Sequence, residues 1–451
     1  MPHVAFIAFA GLRIHNVELA ALGVTMPGLT ARAEAVGQLP SLGLLTLAGM
    51  LPAEWTCSYH ESDGVDLDVL NRVVAEQPTI AALSALTPSI DDAYAFAARL
   101  RQENIRSVLG GLHATACPEE ALQYVDAVCT GEGELTWPQV LRDVAAGSLR
   151  SRYDAVRTAA PLPWALPRFD LAASSPRSRW TVQSQRGCPL ACEFCAASRT
   201  LSRFREKPVD RLRSELAEIT RLSPNPVLEL ADDNTFAGPR DPLPLLDALA
   251  SANARYFTEV DWRLGERPEI LAPLAASGCV QVLVGIESLI FRHPGMGAKQ
   301  AALARILAAV DRIQDAGIAV NGCFIVGADG ETRASIDRMR DFLLTSNFAD
   351  VQITLSTPFP GTPLHNRLQR AGRLLPNRDW RHHTLFDVTF QPDAMTVTDL
   401  ETSFRELLQA VYDPPATNRR SKIRREVWRR SRTLSSTPDR FFWSPPLDGE
   451  G

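Results

Sequence analysis

The segment QRGCPLACEFC, residues 185–195, places Cys188, Cys192 and Cys195 within a stretch of eight residues. Three thiolates this close together can hold three irons of a cubane cluster and leave the fourth iron without a protein ligand. Iron–sulfur clusters are normally held by four cysteines, and an open coordination position is typical of a catalytic metal site rather than of a closed structural one. The spacing therefore predicts an iron–sulfur cluster with one iron that is open to a ligand.

A zinc site and three unrelated thiols are the alternative interpretations of the same cysteines. Zinc requires a fourth cysteine or histidine, and the next histidine along the chain, His293, is almost a hundred residues away. Folding can bring distant residues together, so these alternatives stay open at the level of the sequence.

The cysteines follow the first of six predicted strands in the second half of the chain. Short β-rich runs alternate there with helical patterns, which indicates a parallel sheet with crossover helices. Six such units within residues 179–365 fit a partial (β/α)6 barrel of the TIM type, shorter than the usual eight-stranded form. Chemistry in such barrels takes place at the C-terminal ends of the strands, where the cysteines lie. The predicted strands are 181–185, 227–231, 258–264, 281–286, 321–326 and 352–356.

The first part of the chain shows the same alternation, with predicted strands at 4–9, 55–60, 80–86, 107–111 and 127–131. Five strands with crossover helices predict a doubly wound, Rossmann-like α/β domain over residues 1–147. Pro161, Pro163 and Pro167 lie among small residues and mark residues 148–178 as a linker. Residues 366–451 are predicted to form a C-terminal helical extension whose Pro- and Ser-rich tail is disordered.

Composition and charge exclude several classes of function. The 451 residues carry a formal net charge of -5, which provides no general attraction to nucleic acid or to acidic membranes. No apolar stretch is long enough to span a bilayer, and the first residues lack the basic segment of a secretion signal. Eight cysteines in a chain of this length do not indicate a disulfide framework, so a cytoplasmic protein is expected. The basic run at 419–432 is interpreted as a solvated helix face rather than as an RNA or phosphate site.

The Cys-x3-Cys-x2-Cys spacing, with the aromatic Phe194 before the last cysteine, resembles the signature of radical S-adenosylmethionine (SAM) enzymes. The resemblance implies that Cys188, Cys192 and Cys195 hold a 4Fe–4S cluster whose open iron is chelated by the amino and carboxylate groups of SAM. It also implies reductive cleavage of SAM, normally to a 5′-deoxyadenosyl radical, with an electron from a flavodoxin- or ferredoxin-type donor. The cofactors carry this chemistry and the protein positions them. By the same resemblance, Phe194 lies beside the adenine.

Polar residues at two further strand ends also match the family's pattern. Asp232 and Asp233 follow the second barrel strand, where the family presents polar side chains to SAM or substrate, and a helix N-cap is the alternative role. Glu287 and Ser288 resemble the family's Gly-x-Glu-Ser segment near the SAM ribose. A plain strand-end turn is the alternative for these two residues.

The fifth barrel strand carries the last part of the pattern. Gly322 and Gly327 are expected to let the adenine and the backbone approach closely. Cys279 and Cys323 lie in apolar surroundings of the sequence, and we interpret them as buried, inert thiols rather than as ligands.

The first domain resembles the cobalamin-binding-type domains that are fused to radical SAM barrels. The resemblance rests on PSLGLLTLA at 40–48 and on two glycine-rich strand ends, Gly110-Gly111 and Gly131-Glu132-Gly133. A doubly wound sheet offers its ligand crevice at such strand ends, so Gly110, Gly111, Gly131 and Gly133 are expected to face cobalamin. The Asp-x-His-x-x-Gly motif that supplies a histidine to cobalt is absent, so bound cobalamin would lack that ligand. The long connection at 11–39 is a candidate wall of the active site.

The leading hypothesis is a radical SAM enzyme that performs cobalamin-dependent methyl transfer to an unreactive centre of a small molecule. One alternative enzyme omits cobalamin and transfers another SAM fragment, such as the aminocarboxypropyl group, or carries out a rearrangement or oxidation. An RNA methylthiotransferase with a second cluster on Cys57, Cys117 and Cys129, and a non-enzymatic iron–sulfur sensor, are the further alternatives. The sequence does not name the substrate.

Overall fold

A computed structural model of the chain describes residues 1–9, 14–25, 39–155, 161–173, 179–197, 203–289 and 293–431. Two six-stranded sheets, each with all of its strands parallel, follow one another along the chain, and helices complete the C-terminal part. This architecture confirms the predicted fold class. The predicted disordered tail after residue 431, and much of the 11–39 connection, lie outside the described residues.

The N-terminal sheet has the strand order β2-β1-β3-β4-β5-β6, a doubly wound arrangement. Side chains of β1 alternate between the two faces: Ile7 and Phe9 join one apolar core, whereas Val4 and Phe6 join the other. Its strands are β1 (His3–Phe9), β2 (Thr56–Ser62), β3 (Ile80–Ser84), β4 (Ser107–Gly110), β5 (Ala127–Gly131) and β6 (Arg152–Ala155). The accompanying helices are α1 (Val17–Thr25), α2 (Leu42–Ala48), α3 (Leu67–Glu76), α4 (Ile90–Gln102), α5 (Leu112–Ala116), α6 (Pro118–Ala121) and α7 (Gly133–Ala145).

The position of β6 adds a strand that the sequence did not reveal. It pairs with β5 after position 147, so the first sheet continues into the segment that was interpreted as a linker. The residues of β6 alternate polar with apolar as an edge strand does, but a run of four residues is too short to be recognised in the sequence.

The second sheet has the order β14-β13-β12-β11-β10-β7, in which consecutive strands of the chain are neighbours. This is the order of a partial barrel with edges at β7 and β14. Its strands are β7 (Trp180–Val182), β10 (Val227–Leu230), β11 (Arg255–Val260), β12 (Cys279–Glu287), β13 (Ala319–Val326) and β14 (Asp350–Leu355); β8 (Gln185–Arg186) and β9 (Arg205–Glu206) form a separate antiparallel pair. Its helices are α8 (Val209–Leu222), α9 (Leu243–Ser251), α10 (Pro268–Ala276), α11 (Leu303–Asp315), α12 (Arg333–Thr345) and α13 (Pro363–Arg370).

Two C-terminal helices, α14 (Val397–Val411) and α15 (Pro414–Arg430), pack against the barrel. The interpretation of the basic run as a solvated face is wrong for Arg420 and Arg424, which are buried. The reason is that α15 covers the N-terminal ends of three barrel strands, where the indole of Trp428 donates to the carbonyl of Val280 at 2.9 Å. Among the helices in the described ranges, none has the length and apolarity needed to cross a membrane.

Candidate active site

The three predicted cluster cysteines line one cavity of about 230 Å³ inside the barrel. Phe194 lines the same cavity, and the amide of Leu190 donates to the sulfur of Cys188 at 3.4 Å. Burial raises the pKa of the Cys188 thiol, and that of Cys192 to about 11, because it disfavours the charged thiolate. Bound iron would supply the compensating positive charge, so the donor set suits a metal cluster.

A zinc site would need a fourth ligand besides the three cysteines, and His293 is the histidine that follows them in the sequence. His293 packs its ring against Phe194, with 5.1 Å between centroids, and does not line the cavity. This geometry favours the cluster.

The cavity lining is rich in carboxylates. Asp233, Glu259 and Glu287 contribute three acidic groups, and Lys299 contributes an ammonium group that is ion-paired with Glu287. Burial raises the pKa of Glu259 to about 8, and the neighbouring carboxylates of Glu229 and Asp233 act in the same direction. Burial, assisted by Asp232, raises the pKa of Asp233 to about 6. The cavity therefore favours a ligand that brings positive charge.

Glu287 also has an unusual backbone. Its φ is 66°, in the left-handed region, at the point where the register between β12 and β13 shifts. A residue other than glycine, asparagine or aspartate is uncommon there, and such strain concentrates at functional sites. The strained residue is thus one whose side chain lines the cavity.

Four residues that the sequence analysis selected do not line this cavity. Asp232 accepts hydrogen bonds from the Ser184 amide at 2.7 Å and the Ser184 hydroxyl at 2.5 Å, so it ties β10 to β7. Adding a Cβ to Gly322 would bring it to 3.0 Å from the Phe324 ring, and the nearest atom to a Cβ on Gly327 would be in the Phe390 ring. Ser288 is likewise outside the lining.

Several lining residues were missed by sequence reasoning, and one was interpreted wrongly. Glu259, Lys299 and Gln352 line the cavity, yet each is a single polar residue on or after a strand with no distinctive motif. The alternation of polar residues within otherwise apolar strands was the available signal for Glu259. The expectation that Cys323 is buried is wrong, because it is half-buried and lines the cluster cavity, whereas the expectation that it is not a ligand stays a prediction.

A second cavity, of about 290 Å³, opens at the C-terminal ends of β3, β4 and β5 in the first domain. Gly110, Gly111, Gly131 and Gly133 all line it. A Cβ on Gly110 would make only ordinary contacts, with the Cβ and carbonyl oxygen of Cys129 at 3.8 Å, and one on Gly43 would meet nothing within 4 Å. Because these positions are glycines, no side chains occupy this part of the cleft. The backbone can therefore lie close to a large ligand such as cobalamin.

No histidine within the described ranges lines this cleft. His113 follows the Gly110-Gly111 pair in the sequence and is therefore the histidine to consider as a cobalt ligand. Its side chain is buried, with Nδ1 3.3 Å from the Thr87 hydroxyl and Nε2 3.3 Å from the Glu120 carboxylate. The cleft therefore suits cobalamin that lacks a protein histidine on cobalt.

The proposed second cluster of an RNA methylthiotransferase has no geometric basis. Cys57 lies on β2 and Cys129 lies on β5, and three strands separate them in the sheet. With strands spaced about 4.8 Å apart, these cysteines are at least about 19 Å from each other. One cluster cannot bridge that distance.

Comparison with known proteins gives three matching family models. A B12 binding domain model matches residues 28–141, a radical SAM superfamily model matches residues 182–343, and a domain of unknown function, DUF4070, matches residues 362–439. The chain is 26% identical over 360 residues to bacteriochlorophyllide d C-12(1)-methyltransferase of Chlorobaculum tepidum, covering 77% of this chain and 78% of that protein. It is 28% identical over 403 residues to an uncharacterized methyltransferase of Synechocystis sp., covering 84% and 73%.

Among solved structures, the chain resembles the cobalamin-dependent SAM radical enzyme OxsB with aqua-cobalamin and SAM bound. The TM-score is 0.67 at 13% identity, over 95% of this chain and 72% of that one. This similarity concerns the fold. The B12 binding domain model matches the domain that contains the glycine-lined cleft, and the radical SAM model matches the domain that contains the cysteine cavity. The chain is therefore a radical SAM enzyme with an N-terminal B12-binding domain, and its cofactors are SAM, a 4Fe–4S cluster and cobalamin.

Proposed function

We propose that this enzyme transfers a methyl group from SAM to an unreactive centre of a small molecule, with cobalamin as the carrier. The observation that carries the proposal is the adjacency of the two cavities. Arg186 lines the cobalamin-type cleft and is two residues before Cys188, and Ala231 lines the cleft two residues before Asp233 of the cluster cavity. Groups held in both cavities would be close neighbours, which direct group transfer requires.

Residues of the cluster cavity have distinct roles in this proposal. Cys188, Cys192 and Cys195 hold the cluster, and Phe194 offers an aromatic surface at the cavity wall. Asp233, Glu259 and Glu287 place carboxyl groups around the ligand space, and their ionised forms would attract the sulfonium and ammonium groups of SAM. When bound, the cofactors supply the electron and the methyl-carrying centre, and the protein excludes water and fixes orientation.

The small-molecule class of substrate is supported by relatives. The Chlorobaculum tepidum relative is named for methyl transfer to bacteriochlorophyllide d, and the Synechocystis relative is named as a methyltransferase. For this chain we propose a small organic substrate without specifying it further. We also propose a flavodoxin- or ferredoxin-type electron donor and a cytoplasmic location, since cysteines that hold a cluster suit a reducing compartment.

Anaerobic reconstitution tests this function. The protein is loaded with iron, sulfide and hydroxocobalamin, incubated with SAM, reductant and candidate substrates, and the SAM-derived products are identified by mass spectrometry. Methyl transfer predicts S-adenosylhomocysteine together with a product that has gained 14 mass units per methyl group, about the mass of one CH₂. Formation of methylthioadenosine, with transfer of the aminocarboxypropyl group, would instead establish the cobalamin-independent alternative. The Cys192→Ala protein, treated in the same way, is the control.

A further inference from the structure

A cluster of buried charges joins the two cofactor domains. The guanidinium of Arg186 donates from Nη2 to Oε1 of Glu134 at 2.8 Å and from Nη1 to Oε2 at 3.1 Å, a two-point contact. Nη1 also contacts Glu132, and Nε donates to Gln183 at 3.2 Å. Arg205 donates to the other carboxylate oxygen of Glu132 at 3.2 Å. Every nitrogen of the Arg186 guanidinium therefore has a partner.

Both ends of this contact carry cofactor-site residues. Glu132 stands between Gly131 and Gly133 of the cobalamin-type cleft, and Glu134 follows them at the start of α7. Arg186 is followed by Gly187, whose φ of +75° turns the chain into Cys188. A movement of Arg186 relative to Glu134 would therefore shift the cluster loop relative to the cleft.

The ion pairs of Arg186 with Glu132 and Glu134 are shielded from solvent, so their strength depends on the exact placement of the charged groups. The side chains of Glu132 and Glu134 are 3% and 7% exposed, and that of Arg186 is 19% exposed. The charge of Arg186 lowers the pKa of Glu134 although burial alone would raise it. Buried ion pairs of this kind often add little to stability relative to apolar packing, and one of their uses is to specify one arrangement over others. Trp164 covers the guanidinium, with 5.5 Å from Cζ to the ring centroid.

We infer that Arg186 is a positioning residue that holds the cobalamin-type cleft in register with the cluster loop through Glu134. The inference rests on the proposed function, because the need for register arises from methyl transfer between the two sites. Lysine cannot reproduce the planar, two-point contact, so Arg186→Lys retains the charge and loosens the register.

The test compares Arg186→Lys and Glu134→Gln with a matched control, Arg305→Lys. Arg305 also makes a two-point contact with a glutamate, Glu266, at 2.6 and 2.8 Å and also lies over a tryptophan ring, but it is on the exposed side of the barrel. Measurements are iron content, melting temperature, cobalamin affinity by equilibrium dialysis, and the ratio of SAM consumed to substrate methylated.

The expected result for Arg186→Lys and Glu134→Gln is unchanged iron content and cobalamin binding that is roughly ten-fold weaker. This corresponds to transmitting the lower end of the free energy of a charged hydrogen bond from the Arg186–Glu134 contact to the cleft that both residues line. More SAM is also consumed per methylated product, whereas Arg305→Lys matches the wild type. Wild-type affinity and ratio in both variants would overturn the inference. So would a parallel loss of iron, cobalamin and melting temperature, which indicates a structural role. Cobalamin binding by the wild-type protein is measured first. A wild-type protein that binds no cobalamin would refute the proposed function itself.

Discussion

The carboxylate of Glu287 and the ammonium of Lys299 form an ion pair inside the cavity that the three cysteines line. Their side chains are 8% and 11% exposed, so neither charge is well solvated. The pair raises the pKa of Lys299 against the opposing effect of burial, which keeps the ammonium charged. A ligand that enters this cavity therefore meets a fixed pair of opposite charges beside the cluster loop.

Replacing Glu287 with Gln should weaken SAM binding without loss of iron, because a hydrogen bond to a charged group is lost while the cysteines stay in place. Such a bond contributes about 1.5–3 kcal/mol, or roughly ten- to a hundred-fold in affinity. The measurement is the dissociation constant of SAM on reconstituted protein, with the surface variant Glu266→Gln as control. An unchanged dissociation constant of SAM would show that Glu287 has a structural role and does not bind SAM.

Alanine at Cys188, Cys192 or Cys195 should abolish the reducible cluster and all SAM cleavage while leaving the fold largely intact. Each removes one of three cluster ligands. The matched control is Cys323→Ala, which alters a thiol on the wall of the same cavity and should retain iron. Iron content and 5′-deoxyadenosine formation provide the readouts. Full SAM cleavage in any of the three variants contradicts the central assignment.

Gly110→Leu should reduce cobalamin uptake and spare the iron–sulfur cluster, since Gly110 lines the cleft and a Cβ there would make only ordinary contacts, with the Cβ and carbonyl oxygen of Cys129 at 3.8 Å. Gly110 is a better probe than Gly111 or Gly131, whose φ values of 108° and 74° strain any side chain.

Wild-type protein in the Co(II) state should show no nitrogen coupling from His15, His60 or His113 in its electron-resonance spectrum. A resolved nitrogen coupling from one of these histidines, or normal uptake by Gly110→Leu, would contradict this description of the cleft.

The cofactor-free protein should lose stability as the pH rises from about 5 to 8. The folded pKa of Glu259 is raised to about 8, so the folded state holds a proton that the unfolded state releases near its ordinary pKa of about 4.3. The contribution of Glu259 to the free energy of unfolding is fully present below its pKa in the unfolded state. It is lost as the pH rises through its pKa in the folded state. Glu259→Gln should flatten the dependence of melting temperature on pH in this window. An equally steep dependence in the variant would show that other groups cause it.

Much of the site was predictable because its residues are close in the sequence. Three cysteines in eight residues predict a cluster from one short segment of the chain, with a zinc site as the alternative that the sequence leaves open. Alternating strand and helix patterns predicted both sheets, since local hydrophobic periodicity reflects which face of an element is buried. The edge strand β6 was missed because four residues carry too little periodicity to identify.

The sequence by itself predicted the cysteine ligand set, and it determined the two α/β domains and the glycine-rich strand ends, because each depends on residues within one short segment. Only the tertiary structure decided which neighbouring polar residue faces a cavity: Asp233 lines it, whereas Asp232 ties two strands together. The contact of Arg186 with Glu134, 52 residues apart, likewise depends on how the domains pack. Such contacts are set by the arrangement of elements in space, which no local pattern encodes.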